Sequence, residues 1–166
     1  MKEGKEVSQK TGMVLCAVGV VCLVASIAFS VVSLSDVQKM QKMKESIALE
    51  EDEAYSTKED VAAYIYKYGH LPHNYITKFE AELAGWEGGA LDNVLPGRVI
   101  GGDRFYAEYT VDNDLAKAVG RWYRECDVDP NNLERRTAER LVFTNDGLVY
   151  YTPDHYHTFE LVYGQP

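Results

Sequence analysis

Near the start of the chain, 25 residues from Thr11 to Ser35 carry no charged side chain, and most of these positions are Val, Ala, Leu, Ile, Met, Phe or Cys. A bilayer's hydrocarbon core takes roughly 20 apolar residues as a helix, so this stretch is long enough to span. Asp36 to Ser56 is rich in Lys, Glu, Asp, Gln and Met and lacks Pro and Gly, which predicts a polar helical stalk or linker. Beyond it, Val61, Tyr64, Ile65 and Tyr68 recur at helical spacing. Capping signals precede them (Ser56 with Glu59, Thr57 with Asp60), and Gly69 suits a left-handed C-terminal cap. Thr77 and Glu80 form a second capping box ahead of a short helix from Lys78 to about Ala84. Leu91 to Leu95 reads as one more helical turn.

After Arg98 the period changes. Val99-Ile100 reads as a strand entering a tight turn at Gly101-Gly102. Arg121 to Asp127 and Glu139 to Thr144 alternate, Asn145-Asp146-Gly147 is a hairpin signal, and Leu148 to Tyr151 and His157 to Tyr163 read as strands. Helices followed by a strand meander predict an α+β fold, N-terminal helices packed on a twisted antiparallel sheet and preceded by the apolar helix. The expected domains are residues 1–35, a signal anchor or signal peptide; 36–56, the stalk; and 57–166, the folded domain.

Composition alters this picture at three points. Lys2, Lys5 and Lys10 precede the apolar run, which favours a cytoplasmic N-terminus and an exported remainder. A cleaved signal peptide and an uncleaved anchor across residues 12–34 both remain open. Either puts the domain outside the cytoplasm, secreted or held at the cell membrane. Of the three cysteines only Cys126 lies in the exported part, so no disulfide can form within it and a hydrophobic core must supply stability. Cys126 itself fits a small buried residue better than a nucleophile. The net charge is −9, and from Lys58 to Pro166 there are 11 Lys and Arg against 18 Asp and Glu, a net −7. Bulk nucleic acid should therefore bind less tightly than to a basic domain, and any phosphate site must concentrate its cations locally.

Candidate chemistry clusters in the sheet. Arg121 and Glu125 share a face if both lie on one strand, as do Arg136 and Arg140, and His155 precedes the last strand. A carboxylate, guanidiniums and a histidine on one face suit acid–base attack on a phosphodiester, although a salt-bridged sheet face gives the same pattern. His155 and His157 with Asp154 and Asp103 offer a rival metal site, and His70 with His73 a second, but neither has Cys pairs or a metalloprotease spacing.

Five strings bring these residues into one frame: VAAYIYKYG (Val61 to Gly69), LPHNYITKFEAELAGW (Leu71 to Trp86), PGRVIGGDRF (Pro96 to Phe105), GRWYRECD (Gly120 to Asp127) and RTAERLVFTNDGLVYYTPDHYHTFELV (Arg136 to Val162). In order and spacing they resemble the barnase–binase family of bacterial ribonucleases. The resemblance implies the microbial ribonuclease fold and an exported endoribonuclease that cuts single-stranded RNA to a 2′,3′-cyclic phosphate and then hydrolyses it. It implies Glu125 as general base, His155 as general acid, and Lys78, Arg136 and Arg140 around the phosphate. On the substrate side it implies Asp103, Phe105, Glu108 and Tyr156. No metal or cofactor is called for, because RNA supplies its own nucleophile. At neutral pH a Glu, reference pKa about 4.3, is a base, and a His, about 6.5, can still be protonated. The implied partners are RNA and a small acidic inhibitor of the barstar type.

The chain departs from that pattern after Phe105. The family's Asn-Arg-Glu guanine loop is replaced by Tyr106-Ala107-Glu108-Tyr109, without the arginine. Glu108 can accept hydrogen bonds from guanine or be a solvated charge, so guanine preference stays an expectation. An inactive binding module on the same fold is the second functional reading.

Overall fold

A computed structural model describes residues 34–106, 115, 118–130 and 135–165. The expected signal or anchor segment lies outside these residues apart from its last positions. Among the described residues, no helix is long and apolar enough to cross a membrane. Two compact units are distinguished, Met1–Met43 and Lys44–Pro166. In the first, residues 34–43 are helical. The second carries everything that follows.

Local signals set its helices. Thr57 caps α1 (Lys58–Tyr68) by accepting from the Asp60 N–H, and Gly69 ends it at φ 81°. The Thr77–Glu80 capping box starts α2 (Lys78–Leu83), with both reciprocal hydrogen bonds made. Leu91–Asn93 is a single 3₁₀ turn.

The sheet has six strands in sequential order: β1 (Tyr75–Ile76), β2 (Val99–Phe105), β3 (Tyr123–Asp127), β4 (Arg140–Thr144), β5 (Val149–Thr152) and β6 (Glu160–Tyr163). It is mixed rather than wholly antiparallel. β1 runs parallel to β2, pairing Tyr75 with Val99 and Ile76 with Ile100, because α2 and the 3₁₀ turn carry the chain back to the end where β1 began. Nor does the chain turn at Gly101-Gly102. β2 continues to Phe105 through an irregularity between Gly101 and Arg104, with Gly102 at φ 94°. Gly101 passes so close to β3 that a Cβ there would lie 2.5 Å from the Cys126 Cβ, so only glycine fits.

Both faces of the sheet are covered. α1 buries Val61, Ala62, Ile65 and Tyr66 against Cys126, Val128, Leu141, Phe143 and Val149. On the other face Leu115, Tyr123, Val142, Leu148 and Tyr150 pack with Phe105, Tyr156 and Phe159. Ala81, Trp86, Leu91 and Ile100 form a third cluster under α2.

Much of the expected stalk is bound to the domain. Lys67 Nζ donates to the carbonyls of Ile47 and Leu49 at 2.9 and 2.7 Å, and the Tyr68 and Tyr64 hydroxyls donate to Leu49 and Glu51. Asn74 Nδ2 holds the Tyr55 carbonyl, while Ile47 and Tyr55 pack on the core. Residues 47–55 therefore form a strap along α1, because the helix offers donors for backbone carbonyls and an apolar surface for two side chains.

Candidate active site

β3 sets the site by alternation. Glu125 and Asp127 point to the face opposite α1, whereas Cys126 between them enters the α1 core. Both carboxylates are 6% exposed. Charge at such depth requires partners, and each has them.

Asp127 is paired across the ladder with Arg140. Arg140 Nε lies 2.8 Å from Asp127 Oδ1, while its Nη1 donates to the Thr137 and Glu139 carbonyls. Arg136 grips the same carboxylate in fork fashion, Nε at 2.5 Å and Nη2 at 2.6 Å. It does so from a loop; only Arg140 belongs to a strand, so the two arginines do not share a strand face as their spacing suggested. They converge because Asp127 draws both. Arg136 also stands over the Trp86 ring at 5.9 Å. Burial opposes the charge of Arg136, but hydrogen bonding and attraction to Asp127, with Glu125 and Asp103 near, leave its pKa above the ordinary value. Burial, aided by the like charge of Arg136, lowers that of Arg140 despite Asp127. Both remain cations at neutral pH.

Glu125 has its own cation. Lys78 Nζ forms an ion pair with Glu125 Oε1. The Lys78 backbone N–H donates to Asp103 Oδ2 at 2.9 Å, so Asp103 on β2 ties down the start of α2 and aims Lys78 across the sheet.

His155 stands, as expected, ahead of the last strand, on a turn between β5 and β6; β6 itself begins at Glu160 rather than at His157. His155 and Tyr156 both adopt positive φ, 55° and 73°, which is uncommon for non-glycine residues. Asp154 holds this shape. Its carboxylate accepts from Thr152 Oγ1, His157 N, Thr158 N and Thr158 Oγ1 at 2.7–3.0 Å. These bonds, the Thr158 backbone N–H foremost, hold its pKa down to about 2. Thr152 Oγ1 also accepts from Tyr156 N, and His155 N donates to the Ala138 carbonyl. The exposed His155 thereby shares an open cleft of about 400 Å³ with Gly89, Arg135, Arg136 and Arg140. Tyr156 contacts Phe105, ring centroids 5.0 Å apart.

Some expected partners are elsewhere. Arg121 precedes β3 and pairs with Asp146, 2.8 Å away, instead of facing Glu125. Glu108 lies outside the described residues. His157 Nδ1 turns back to the Asp154 carbonyl at 2.6 Å, and among the described residues no three His, Cys, Asp or Glu side chains gather as metal ligands would. Cys126 is buried, and burial raises its thiol pKa well above the ordinary value, so it has no thiolate to offer as a nucleophile. One central residue escaped the sequence reading: Asp127. The signal was present, since Asp127 follows Glu125 by two positions on one strand and must share its face.

A family profile described as ribonuclease matches residues 38–163. The chain is 44% identical over 107 residues to a ribonuclease of Heyndrickxia coagulans, a match covering 63% of this chain and 94% of that protein. Ribonucleases of Bacillus intermedius and Bacillus pumilus are each 44% identical over 107 residues, covering 63% of this chain and 63% of their own length.

Proposed function

The chain belongs to the ribonuclease family, as a bacterial-type endoribonuclease, and from that premise we propose a metal-independent transphosphorylation centred on Glu125 and His155. One observation carries this reading: Arg136 and Arg140, which hold the buried Asp127, line one open cleft with His155, while Glu125, two positions from Asp127 on the same face of β3, is held by Lys78. Glu125 takes the proton of the ribose 2′-hydroxyl. The 2′-oxygen attacks phosphorus, a 2′,3′-cyclic phosphate forms, and the bond to the 5′-oxygen breaks. His155 delivers a proton to that leaving oxygen. Lys78, Arg136 and Arg140 stabilise the charge that builds on the phosphoryl oxygens. Water then opens the cyclic phosphate with the two roles exchanged.

Asp127 does not react in this scheme. It fixes two guanidiniums in advance, so little reorganisation accompanies the reaction. Asp103 orients Lys78, and Phe105 and Tyr156 supply an aromatic surface for the base. We further propose guanine preference through Glu108, export under the N-terminal apolar segment as a secreted or membrane-anchored enzyme, and a barstar-type inhibitor that covers the cation cluster.

The test is a short oligoribonucleotide in EDTA, with a twin carrying a single 2′-deoxy sugar at the cut site. The expected result is a 2′,3′-cyclic phosphate product from the first and no cut at the modified position in the second. His155→Ala should lower kcat by about 10²- to 10⁴-fold. Cleavage at the 2′-deoxy position, or a fully active His155→Ala, overturns the mechanism. A dinucleotide panel tests base preference, which fails if GpN is cut no faster than ApN. N-terminal sequencing of the mature protein with cell fractionation tests export.

A further inference from the structure

The face of the sheet opposite Glu125 carries a cluster that the scheme above leaves unused. Arg104 on β2 stands directly across the ladder from Arg124 on β3. Arg124 alternates with Glu125, so both arginines lie on the face that α1 covers further along, away from the reacting groups. Both are exposed. Like charges directly opposite each other destabilise a strand pair, whereas opposite charges stabilise it. From Lys58 to Pro166 the chain has 18 Asp and Glu against 11 Lys and Arg. Yet neither arginine forms an ion pair among the described residues.

Each arginine has an aromatic ring instead. The Arg124 guanidinium lies 5.2 Å from the Trp122 ring centre, and that of Arg104 5.5 Å from the Tyr106 ring centre. Trp122 is 40% exposed and Tyr106 50%. Arg124 is aimed further by donating through Nη1 to the Gly102 carbonyl. The backbone of Trp122 is pinned as well, since its N–H donates to Asn145 Oδ1 at 2.9 Å. A hollow of about 460 Å³ opens beside Trp122 and Arg124, bounded by Gly101, Gly102, Leu71 and His73. The one acid on that hollow, Glu80, is engaged by the Thr77 backbone N–H and hydroxyl.

We infer that this patch is a second binding surface for single-stranded RNA, on the face away from the reacting phosphate. Guanidiniums interleaved with exposed rings match a strand that alternates phosphate and base. One base stacks on Trp122 over the hollow, and Arg124 and Arg104 meet the flanking phosphates. An acidic peptide would satisfy the arginines but offers no flat groups to the two rings. The inference rests on the proposed reading that RNA is the substrate. The sheet separates the patch from the His155 cleft, so a strand spans both only by passing round it. A short oligonucleotide at the cleft does not reach the patch, and a long one does.

The experiment uses a fluorescent 2′-O-methyl dodecaribonucleotide, which lacks the 2′-hydroxyl that the proposed cleavage needs. Binding should quench tryptophan fluorescence in wild type, and since Trp86 is only 8% exposed, Trp122 is the reporter. Trp122→Ala should abolish the quenching and weaken binding about tenfold, as the loss of one stacked base implies. Arg104→Glu sets a carboxylate opposite Arg124. It should weaken binding about tenfold or more while melting no lower than wild type, a combination that a purely structural role does not give. Both variants should cut a dinucleoside monophosphate within about twofold of wild type. No quenching in wild type, or wild-type affinity in either variant, overturns the surface. Binding to phosphatidylglycerol vesicles that needs Arg104 and Trp122, with no quenching by the dodecamer, would make the patch a membrane-contacting face and equally overturns it. If wild type fails to cut the dinucleotide and longer RNA, the activity reading is what has failed, and the dodecamer measurements still decide the patch.

Discussion

Asp127 holds two guanidiniums at once, and its own side chain and that of Arg140 are 8% and 3% exposed. Removing one member of such a group leaves buried charge without compensation. Asp127→Ala should therefore destabilise the domain by about 3–5 kcal/mol, read as a lower urea midpoint at unchanged slope. Asp127→Asn should retain part of the fork and cost less. If Asp127→Ala proves neutral, the arginines find other partners and the centre is not held by that carboxylate. Asp154 makes a second prediction at this scale, and its sign can be worked out. Its folded pKa lies near 2, below the unfolded reference of about 3.9. The order it gives the His155 turn is thus fully present above pH about 4 and is lost as pH falls through about 2. Amide shifts of His155, Tyr156 and Thr158 should titrate together with a midpoint near 2. A midpoint near 4 would mean that the carboxylate is free and the turn is shaped by something else. Asp154→Asn should abolish that titration and lower kcat more than it raises KM, because the acid is displaced while binding surfaces persist.

Elements differed in how much of them the sequence disclosed, and the division follows distance along the chain. Thr77 with Glu80, Thr57 ahead of α1, Gly69 after it and Asn145 to Gly147 are read correctly because each acts on backbone within a few residues. Spacing alone singles out Glu125, Arg136 and Arg140, and Lys78 enters only through family likeness; their convergence depends on Asp127 facing Arg140 across the β3–β4 register, which no local pattern states. β1 was missed because two residues cannot show a period. Gly101-Gly102 suggested a turn because the reason for glycine there lies on another strand, at Cys126. The strap was missed on the same ground. Residues 47–55 are polar enough to look solvated, yet their carbonyls meet Lys67, Tyr68 and Tyr64 from α1. The strap should therefore behave as part of the domain. A chain beginning at Ser56 should melt several degrees lower than one beginning at Lys44, and Ile47→Ala alone should cost about 1–2 kcal/mol, the lower range for a partly buried aliphatic side chain. Equal melting temperatures for the two chains would return residues 47–55 to the status of a linker.

At the scale of the whole molecule, the net −9 opposes the task of gripping a polyanion. The charge pairs soften this only locally, because Arg121, Arg136, Arg140 and Lys78 each answer a carboxylate. A basic RNA-binding protein loses affinity steeply as salt rises, with a logarithmic slope of about −0.7 per phosphate contact on a single strand. Here two effects of salt oppose each other. Counterion competition weakens the few phosphate contacts proposed for Lys78, Arg136 and Arg140. Screening meanwhile relieves the long-range repulsion between the acidic surface and the RNA, which is felt over about 10 Å at 0.1 M salt. The repulsion is the longer-ranged of the two, so it is screened first. KM for an oligonucleotide should therefore depend on salt less than contacts alone imply, with a logarithmic slope below about 2, and should flatten toward low salt. Replacing exposed carboxylates of the strap, Glu50→Lys and Glu53→Lys, which lie along α1 on the face opposite Glu125, should lower KM at low salt, leave kcat unchanged and make the slope steeper. A slope of about 4 or more in the unaltered enzyme would show that RNA meets many more cations than this site offers, and that the acidic surface lies out of its reach.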